Sequence, residues 1–269
     1  MSRLQHQLAT LKEAGRTALI PFITAGDPTP DFTVPALHAL VAAGADIIEL
    51  GVPFSDPMAD GPVIQKASER ALAHKMSLRR VLDLVREFRT RDNSTPVVLM
   101  GYLNPIECMG YRQFVDAARS AGVDGVLTVD LPPEESAELT PLMREAQLDI
   151  IYLLAPNSTA ERIQSMGRLG SGYLYYVSLK GVTGASHLDM TDVERKLGEI
   201  RTLIDLPVGV GFGVKNAETA GELARIADAV VVGSALVSSI EAHPADPAQA
   251  LTEITTLIRS MRQAMDQTL

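Results

Sequence analysis

Eight short apolar runs alternate along the chain with longer segments of helical periodicity. Most of these runs are nearly continuous rather than alternating, which is typical of parallel strands covered on both faces. The pattern therefore predicts a parallel sheet with helices packed on either side. The eight predicted strands are 18–24, 46–51, 96–103, 125–130, 149–155, 173–178, 207–213 and 229–234.

Segments with apolar residues three or four positions apart fill the intervals between the strands. Ser158 or Asn157, and Asn216, are candidate N-caps for two of these segments, and Asp246-Pro247 opens a final amphipathic helix. Leu4, Leu8 and Leu11 predict a further helix before the first strand, which we expect to cap one end of the sheet. The predicted helices between the strands are 30–43, 63–73, 77–89, 111–121, 134–147, 158–169, 191–204 and 216–227.

Eight βα units without a break in composition predict a single (β/α)₈ TIM barrel domain over residues 1–269, with an extra N-terminal helix. The alternative is an open doubly wound sheet, which usually carries G-x-G-x-x-G after its first strand. Here that turn reads TAGDP. Two units are oversized and predict extended loops after strands two and six, at 52–61 and 179–190. Such loops lie on the catalytic face of a barrel and often act as lids.

Composition narrows the class of function. The chain of 269 residues has a net charge of −9, which argues against nucleic acid and anionic membranes as partners. It contains one cysteine, Cys108, no signal-peptide pattern and no apolar run of 18 residues. These features predict a cytoplasmic protein that neither spans nor binds a membrane.

Two carboxylates near the second strand are candidate catalytic groups. Glu49 lies one residue before the end of an apolar run, where loss of hydration raises the pKa of a carboxyl group toward neutrality. A general acid–base catalyst requires such a pKa. Asp60 follows a proline-rich loop and has an ordinary alternative role as a helix N-cap. Asp56 competes with Asp60 for the second position, and the residues alone do not decide between them.

Glycines near the last strands predict an anion site. Gly209, Gly211 and Gly213 alternate in one run, and Gly233-Ser234 ends another. Barrels frequently bind phosphate with the loops after strands seven and eight, where backbone N–H groups at helix N-termini attract anions. The loop after strand six adds Gly181 and Gly184. Lys215 lies close by, but the predicted nest needs no cation.

The predicted strands also supply an apolar wall for a flat substrate part, although barrel core is the more common role for each residue alone. Parity along the sixth strand places Tyr173, Tyr175 and Val177 on one face and Tyr176 on the other. The candidate wall consists of Phe22, Met100, Leu127, Val129, Leu153, Tyr175 and Phe212.

Other kinds of site are disfavoured. The five histidines share no metal-ligand spacing with one another or with Cys108, so no metal site is predicted. No G-x-S-x-G motif is present. The candidate Schiff-base lysine, Lys180, falls in a loop.

Several motifs together resemble the tryptophan synthase alpha chain family, in the same order and over essentially the whole chain. The most specific is IELGVPFSDPMADGPVIQ at 48–65. The others are PFITAGDP at 21–28, MGYLNPI at 100–106, GVLTVDLPPEE at 125–135, YYVSLKGVTGA at 175–185, VGFGV at 210–214 and VVVGSALV at 230–237.

This resemblance implies a retro-aldol lyase that cleaves indole-3-glycerol phosphate to indole and glyceraldehyde 3-phosphate. Glu49 is then the general acid–base and Asp60 the acid that stabilises charge at the indole nitrogen. Thr183 matches a lid residue that hydrogen-bonds Asp60. Gly184, Gly213, Gly233 and Ser234 match phosphate-binding positions, and the indole-pocket positions are matched by Phe22, Met100, Leu127, Val129, Leu153 and Phe212, with Tyr175 near Glu49.

The family also implies a partner. The resemblance predicts an α₂β₂ assembly with a pyridoxal-phosphate beta chain that receives indole, and no cofactor in this chain. The partner-facing rim is expected around Pro53, Asp56, 102–110 and Pro132-Pro133. The alternatives are a stand-alone indoleglycerol-phosphate lyase, another phosphosugar barrel such as an isomerase, and a non-catalytic barrel that only binds a partner.

Overall fold

The computed structural model describes residues 1–178, 190–211 and 213–267, and in these ranges it shows a nearly closed barrel of parallel strands. The strand order β5-β4-β3-β2-β1-β9-β8-β7-β6 places neighbours in sequence side by side. The strands are β1 Ala18–Thr24, β2 Ile48–Gly51, β3 Val97–Gly101, β4 Gly125–Thr128, β5 Asp149–Ile151, β6 Leu153–Leu154, β7 Leu174–Val177, β8 Val208–Gly211 and β9 Ala229–Val232.

The predicted strand 149–155 is the place where the ring closes. It forms β5 and β6, which are separated only by Tyr152. The first half pairs with β4 and the second half with β7, and the Tyr152 carbonyl accepts a hydrogen bond from the Tyr175 N–H at 2.9 Å. Eight predicted strands and nine observed segments therefore describe the same eight-stranded barrel.

Helices cover the outside of the barrel. Ser77, Thr159 and Asn216 accept hydrogen bonds from backbone N–H groups in the first turns of the helices that they cap. The helices are α1 Arg3–Glu13, α2 Pro30–Ala42, α3 Pro62–Ala73, α4 Leu78–Arg89, α5 Leu103–Met109, α6 Tyr111–Ala121, α7 Leu139–Glu145, α8 Ala160–Leu169, α9 Met190–Arg201, α10 Ala217–Ala224, α11 Ser234–Glu241 and α12 Pro247–Asp266.

Three of the predicted elements differ from the observed ones. The predicted helix 134–147 is a 3₁₀ turn at Pro133–Glu135 followed by α7. Helix α5 begins at Leu103, so the predicted strand 96–103 is shortened at its end. Helix α11 was not predicted, because its eight residues are too few to show a clear helical period and the predicted strand 229–234 overlaps its first residue.

The N-terminal helix closes one end of the barrel, as predicted. Leu4, Leu8 and Leu11 are buried and pack with the side chains that point into the barrel, among them Tyr173 and Tyr175. Leu174 and Tyr176 instead pack outward against the helices, so the predicted parity of this strand is confirmed. The barrel interior is thus a packed core, and α1 covers one of its two ends.

Aspartates at the amino ends of the strands tie neighbouring units together. In each case a carboxylate just before one strand accepts a hydrogen bond from the backbone N–H of a residue at the start of an earlier strand. The donor–acceptor pairs are Leu19–Asp46 at 2.9 Å, Val97–Asp124 at 2.8 Å and Val208–Asp228 at 2.9 Å. These bonds satisfy backbone donors that the parallel ladder leaves open at this rim. Among the described residues, no helix is long and apolar enough to cross a membrane.

Candidate active site

A cavity of about 240 Å³ opens at the carboxyl ends of the strands. A larger cavity of about 370 Å³ lies beside α1, but none of the predicted site residues line it. Because the catalytic face of a parallel barrel is the carboxyl one, the first cavity is the candidate active site. The predicted residues that line it are Phe22, Glu49, Asp60, Met100, Tyr175, Gly213, Gly233 and Ser234.

Glu49 lies on β2 at the bottom of this cavity and is fully buried. Burial raises the pKa of its carboxyl group from the ordinary 4.5 to about 7, and a hydrogen bond from the Tyr173 hydroxyl to Oε1 opposes the rise. Oε2 has no hydrogen-bond partner among the described residues. A carboxyl group in this setting holds its proton near neutral pH and has one oxygen free for a ligand.

Asp60 reaches the same cavity from the loop after β2. The Tyr102 hydroxyl donates to Asp60 Oδ2 at 3.1 Å and accepts from the Ala59 N–H at 3.0 Å, while the Tyr102 ring stacks on Phe54 at 5.0 Å. Burial raises the pKa of Asp60, and the bond from Tyr102 lowers it. The loop therefore presents Asp60 on a fixed aromatic support.

The competing carboxylate, Asp56, is exposed and accepts a hydrogen bond from Ser55. It does not line the cavity. The geometry thus favours Asp60 over Asp56 as the second acid, a choice that the residues alone left open.

A candidate anion subsite lies in the same cavity. Gly213 has φ +81°, a left-handed conformation that glycine adopts without strain. Gly233 precedes α11, and the first two residues of this helix, Ser234 and Ala235, line the cavity. The first N–H groups of an α-helix have no partner within the helix and attract anions. Lys215 also lines the cavity, so the site contains a cation that the predicted neutral nest did not require.

Two of the three alternating glycines, Gly209 and Gly211, lie on β8 and have another role. A Cβ atom on Gly211 would lie 1.9 Å from the Tyr175 hydroxyl, and one on Gly209 would lie 3.3 Å from the Tyr173 ring. These glycines make room for the tyrosines that face the barrel interior. The interpretation of the whole repeat as a phosphate loop was therefore too broad, and only Gly213 lines the cavity.

The apolar wall is partly as predicted. Phe22 lies beside Glu49 in the strand register, and a Cβ atom on Gly51 would lie 2.6 Å from its ring. Leu127 is fully buried in the barrel interior and does not line the cavity, so its contact with a ligand stays a prediction. Val129 and Leu153 pack against the same interior. Thr183, Gly184 and Phe212 lie outside the described residues, as does Lys180.

Several residues of the site were not predicted to act there. Tyr173 shares the parity of Tyr175, and this signal could have placed it next to Glu49. Ile64 lies in the first turn of α3 and lines the cavity. Tyr102 gave no sequence signal for its bond to Asp60, because that contact joins two loops 42 residues apart.

The site thus combines a carboxyl group whose pKa is raised to about 7, a second carboxylate, apolar side chains and a candidate anion subsite. Such a pair of acids with separate environments can give and take a proton at one atom while stabilising positive charge at another. No cluster of potential metal ligands exists in the ranges that the structure describes.

Comparisons with known proteins agree with this geometry. The family model for the tryptophan synthase alpha chain matches residues 8–266. The alpha chain of Methylococcus capsulatus is 67% identical over 99% of this chain and 100% of its own length. A crystal structure of the alpha subunit from Legionella pneumophila has a TM-score of 0.94 at 45% identity, over 99% of both chains. The tryptophan synthase of Mycobacterium tuberculosis gives 0.89 at 35% identity, over 98% of both chains.

Proposed function

The chain belongs to the tryptophan synthase alpha chain family, whose members are lyase subunits, and from this premise we propose how its own residues perform the reaction. The reaction is the retro-aldol cleavage of indole-3-glycerol phosphate to indole and glyceraldehyde 3-phosphate. The observation that supports the proposal most is a fully buried Glu49, with its pKa raised to about 7, in the same cavity as Asp60.

Proton transfer from Glu49 starts the reaction. Expulsion of an indole carbanion is prohibitive, so carbon C3 of the indole must first accept a proton from the neutral carboxyl group. The indole ring then carries positive charge, which the Asp60 carboxylate stabilises at the ring N–H. Glu49, now ionised, takes the proton of the C3′ hydroxyl while the bond between indole C3 and the glycerol chain breaks. The first proton of Glu49 stays on indole C3 and the hydroxyl proton replaces it, so Glu49 is protonated again at the end and the cycle is balanced.

The two ends of the substrate are held by different walls. The indole ring packs against Phe22, Met100 and Tyr175. The phosphate binds at Gly213 and at the start of α11, with Lys215 at the mouth of the cavity. Thr183, Gly184 and Phe212 remain predicted contacts to substrate.

Tyr173 is proposed as the residue that positions Glu49. Its hydroxyl stabilises the ionised form of the carboxyl, so Tyr173→Phe should raise the pKa of Glu49 further. The acid must be protonated to start the reaction, so we expect the alkaline limb of kcat to move to higher pH, with a loss of less than about tenfold at the plateau. The measurement is kcat from pH 5 to 10. An unmoved limb contradicts this role, and Tyr176→Phe, on the outward face, is the control.

Membership of the family implies a beta-chain partner, and we propose an α₂β₂ assembly in which indole passes to a beta chain that carries pyridoxal phosphate. The proposed rim includes the loop with Pro53 and Asp56, residues 102–110 and Pro132-Pro133. We further propose a cytoplasmic location and no cofactor in this chain.

The proposed function is tested by incubating the purified chain with indole-3-glycerol phosphate, with and without a family beta chain. We expect indole release by the chain alone and faster release with the partner. No release under either condition would contradict the proposal. Equal release under both would retain the lyase and remove the partner.

A further inference from the structure

Helices α3 and α11 lie side by side, and both begin at the cavity. Gly61 and Ile64 at the start of α3, and Ser234 and Ala235 at the start of α11, line its wall. A separate apolar cluster of Phe22, Ala67 and Val237 packs these helices against β1. One helix thus starts next to Asp60 and the other at the proposed phosphate subsite.

The far ends of the two helices are joined by charged groups. Arg70, in the last turn of α3, donates to both oxygens of Asp27 at 2.7 and 3.0 Å. Its third nitrogen lies 3.3 Å from Glu241 at the end of α11. Asp27 follows β1 and has no exposed surface, whereas Arg70 and Glu241 are 24% and 32% exposed. The guanidinium of Arg70 therefore connects α3, to which it belongs, with both α11 and the loop after β1.

Glu241 lies where a carboxylate disfavours its own helix. The carboxyl end of α11 carries the negative pole of the helix dipole, so an acidic side chain there is unfavourable. Ion pairs with Arg70, and with Lys66 at 3.5 Å, offset this cost. The stability of α11 alone does not account for Glu241, whereas a connection between the helices does.

We propose that Asp27, Arg70 and Glu241 form a clamp that fixes α11 relative to α3, so that phosphate bound at α11 holds Asp60 in register with the reacting indole. Arg70 is then a positioning residue. This inference rests on the proposed function and deepens it. The clamp converts binding energy from the non-reacting phosphate into alignment of the acid at the ring nitrogen.

The clamp has a kinetic signature that a purely structural role lacks. Indole-3-glycerol without its phosphate cannot use the α11 subsite, so its slow cleavage should not depend on the clamp. In Glu241→Gln and Arg70→Gln, kcat/KM for the phosphorylated substrate should fall while kcat/KM for the dephosphorylated one stays unchanged. A misplacement of about 1 Å can cost 10²-fold, so we expect the ratio of the two to fall about tenfold in Arg70→Gln and less in Glu241→Gln.

Glu69→Gln is the matched control, because Glu69 precedes Arg70 on α3 but is exposed and takes no part in the ion pairs of Asp27 and Glu241. Its ratio should equal that of the wild type. An unchanged ratio in both Arg70→Gln and Glu241→Gln would overturn the clamp, as would an equal fall for both substrates. If Arg70→Gln fails to fold because Asp27 is left buried and unpaired, Glu241→Gln alone decides.

Hydrogen exchange separates failure of the clamp from failure of the proposed function. In the wild type, glycerol 3-phosphate should protect the amides of residues 58–61 from exchange, and this protection should be lost in Glu241→Gln. Equal protection in both proteins would contradict the clamp, whatever the turnover of the two proteins is. If the wild type does not cleave indole-3-glycerol phosphate, the proposed function is contradicted instead.

Discussion

Glu49→Gln is expected to lower kcat for cleavage of indole-3-glycerol phosphate by about 10²–10⁴-fold, the usual contribution of a general acid–base group. The amide keeps the size of the side chain but can neither give a proton to indole C3 nor take one from the hydroxyl. Glu49 lies on β2 and not on the phosphate-binding turns, so affinity for glycerol 3-phosphate should stay nearly constant. Indole release and calorimetric titration measure the two quantities.

The same variant tests the environment of Glu49 through stability. Its folded pKa of about 7 lies above the ordinary 4.5, so its contribution to stability is complete below pH 4.5 and is lost as the pH rises through 7. One pKa unit corresponds to about 1.4 kcal/mol, so the free energy of unfolding should lose roughly 3 kcal/mol across this window. Glu49→Gln should remove that loss. Wild-type turnover in the variant, or an unchanged pH dependence of its unfolding, would contradict the assignment.

Asp60→Asn is expected to lower kcat by about 10²–10³-fold, the range for removal of one preorganised electrostatic group. The neutral amide cannot balance the positive charge that the indole ring acquires on protonation. Burial raises the pKa of Asp60, so the wild type should lose activity toward acidic pH as this carboxylate takes up a proton. Steady-state kinetics against pH check both expectations.

Asp56→Asn is the matched control for this variant, because Asp56 lies on the same loop but is exposed and does not line the cavity. The isolated chain should be used, since Asp56 belongs to the proposed partner rim. We expect activity close to that of the wild type. Comparable losses in Asp56→Asn and Asp60→Asn would show that the loop as a whole matters, and not the charge at position 60.

The barrel could be predicted because its strands are buried on both faces, so that each strand is a continuous apolar run in the sequence. Glu49 stood out within such a run, since a charge in a core strand is costly unless it is used or paired. The end of β3 and the start of α11 were harder to place, because α5 and α11 each follow a strand after one residue and are only 7 and 8 residues long. Periodicity does not resolve elements of that length. Boundaries of this kind depend on tertiary packing.

Contacts between distant loops could not be predicted at all. The bond from Tyr102 to Asp60 requires two loops to meet, and no local pattern encodes their approach. The glycines of β8 were visible in the sequence but were interpreted wrongly, as part of a phosphate-binding loop. Gly209 and Gly211 leave space for Tyr173 and Tyr175, which face them only after the ring has closed. These two small residues therefore reflect the size of their neighbours and not the presence of a ligand.

The aspartates at the amino ends of the strands, Asp46, Asp124 and Asp228, lie at the opposite end of the barrel from Glu49 and Asp60. Heat resistance and substrate range can consequently be engineered as independent traits in this scaffold. Substitutions near the cavity mouth can be screened for activity on new aromatic substrates. Substitutions at the amino ends of the strands can be screened separately for a higher melting temperature. Gains from the two kinds of selection should add when they are combined in one chain, because substitutions at distant sites are usually additive.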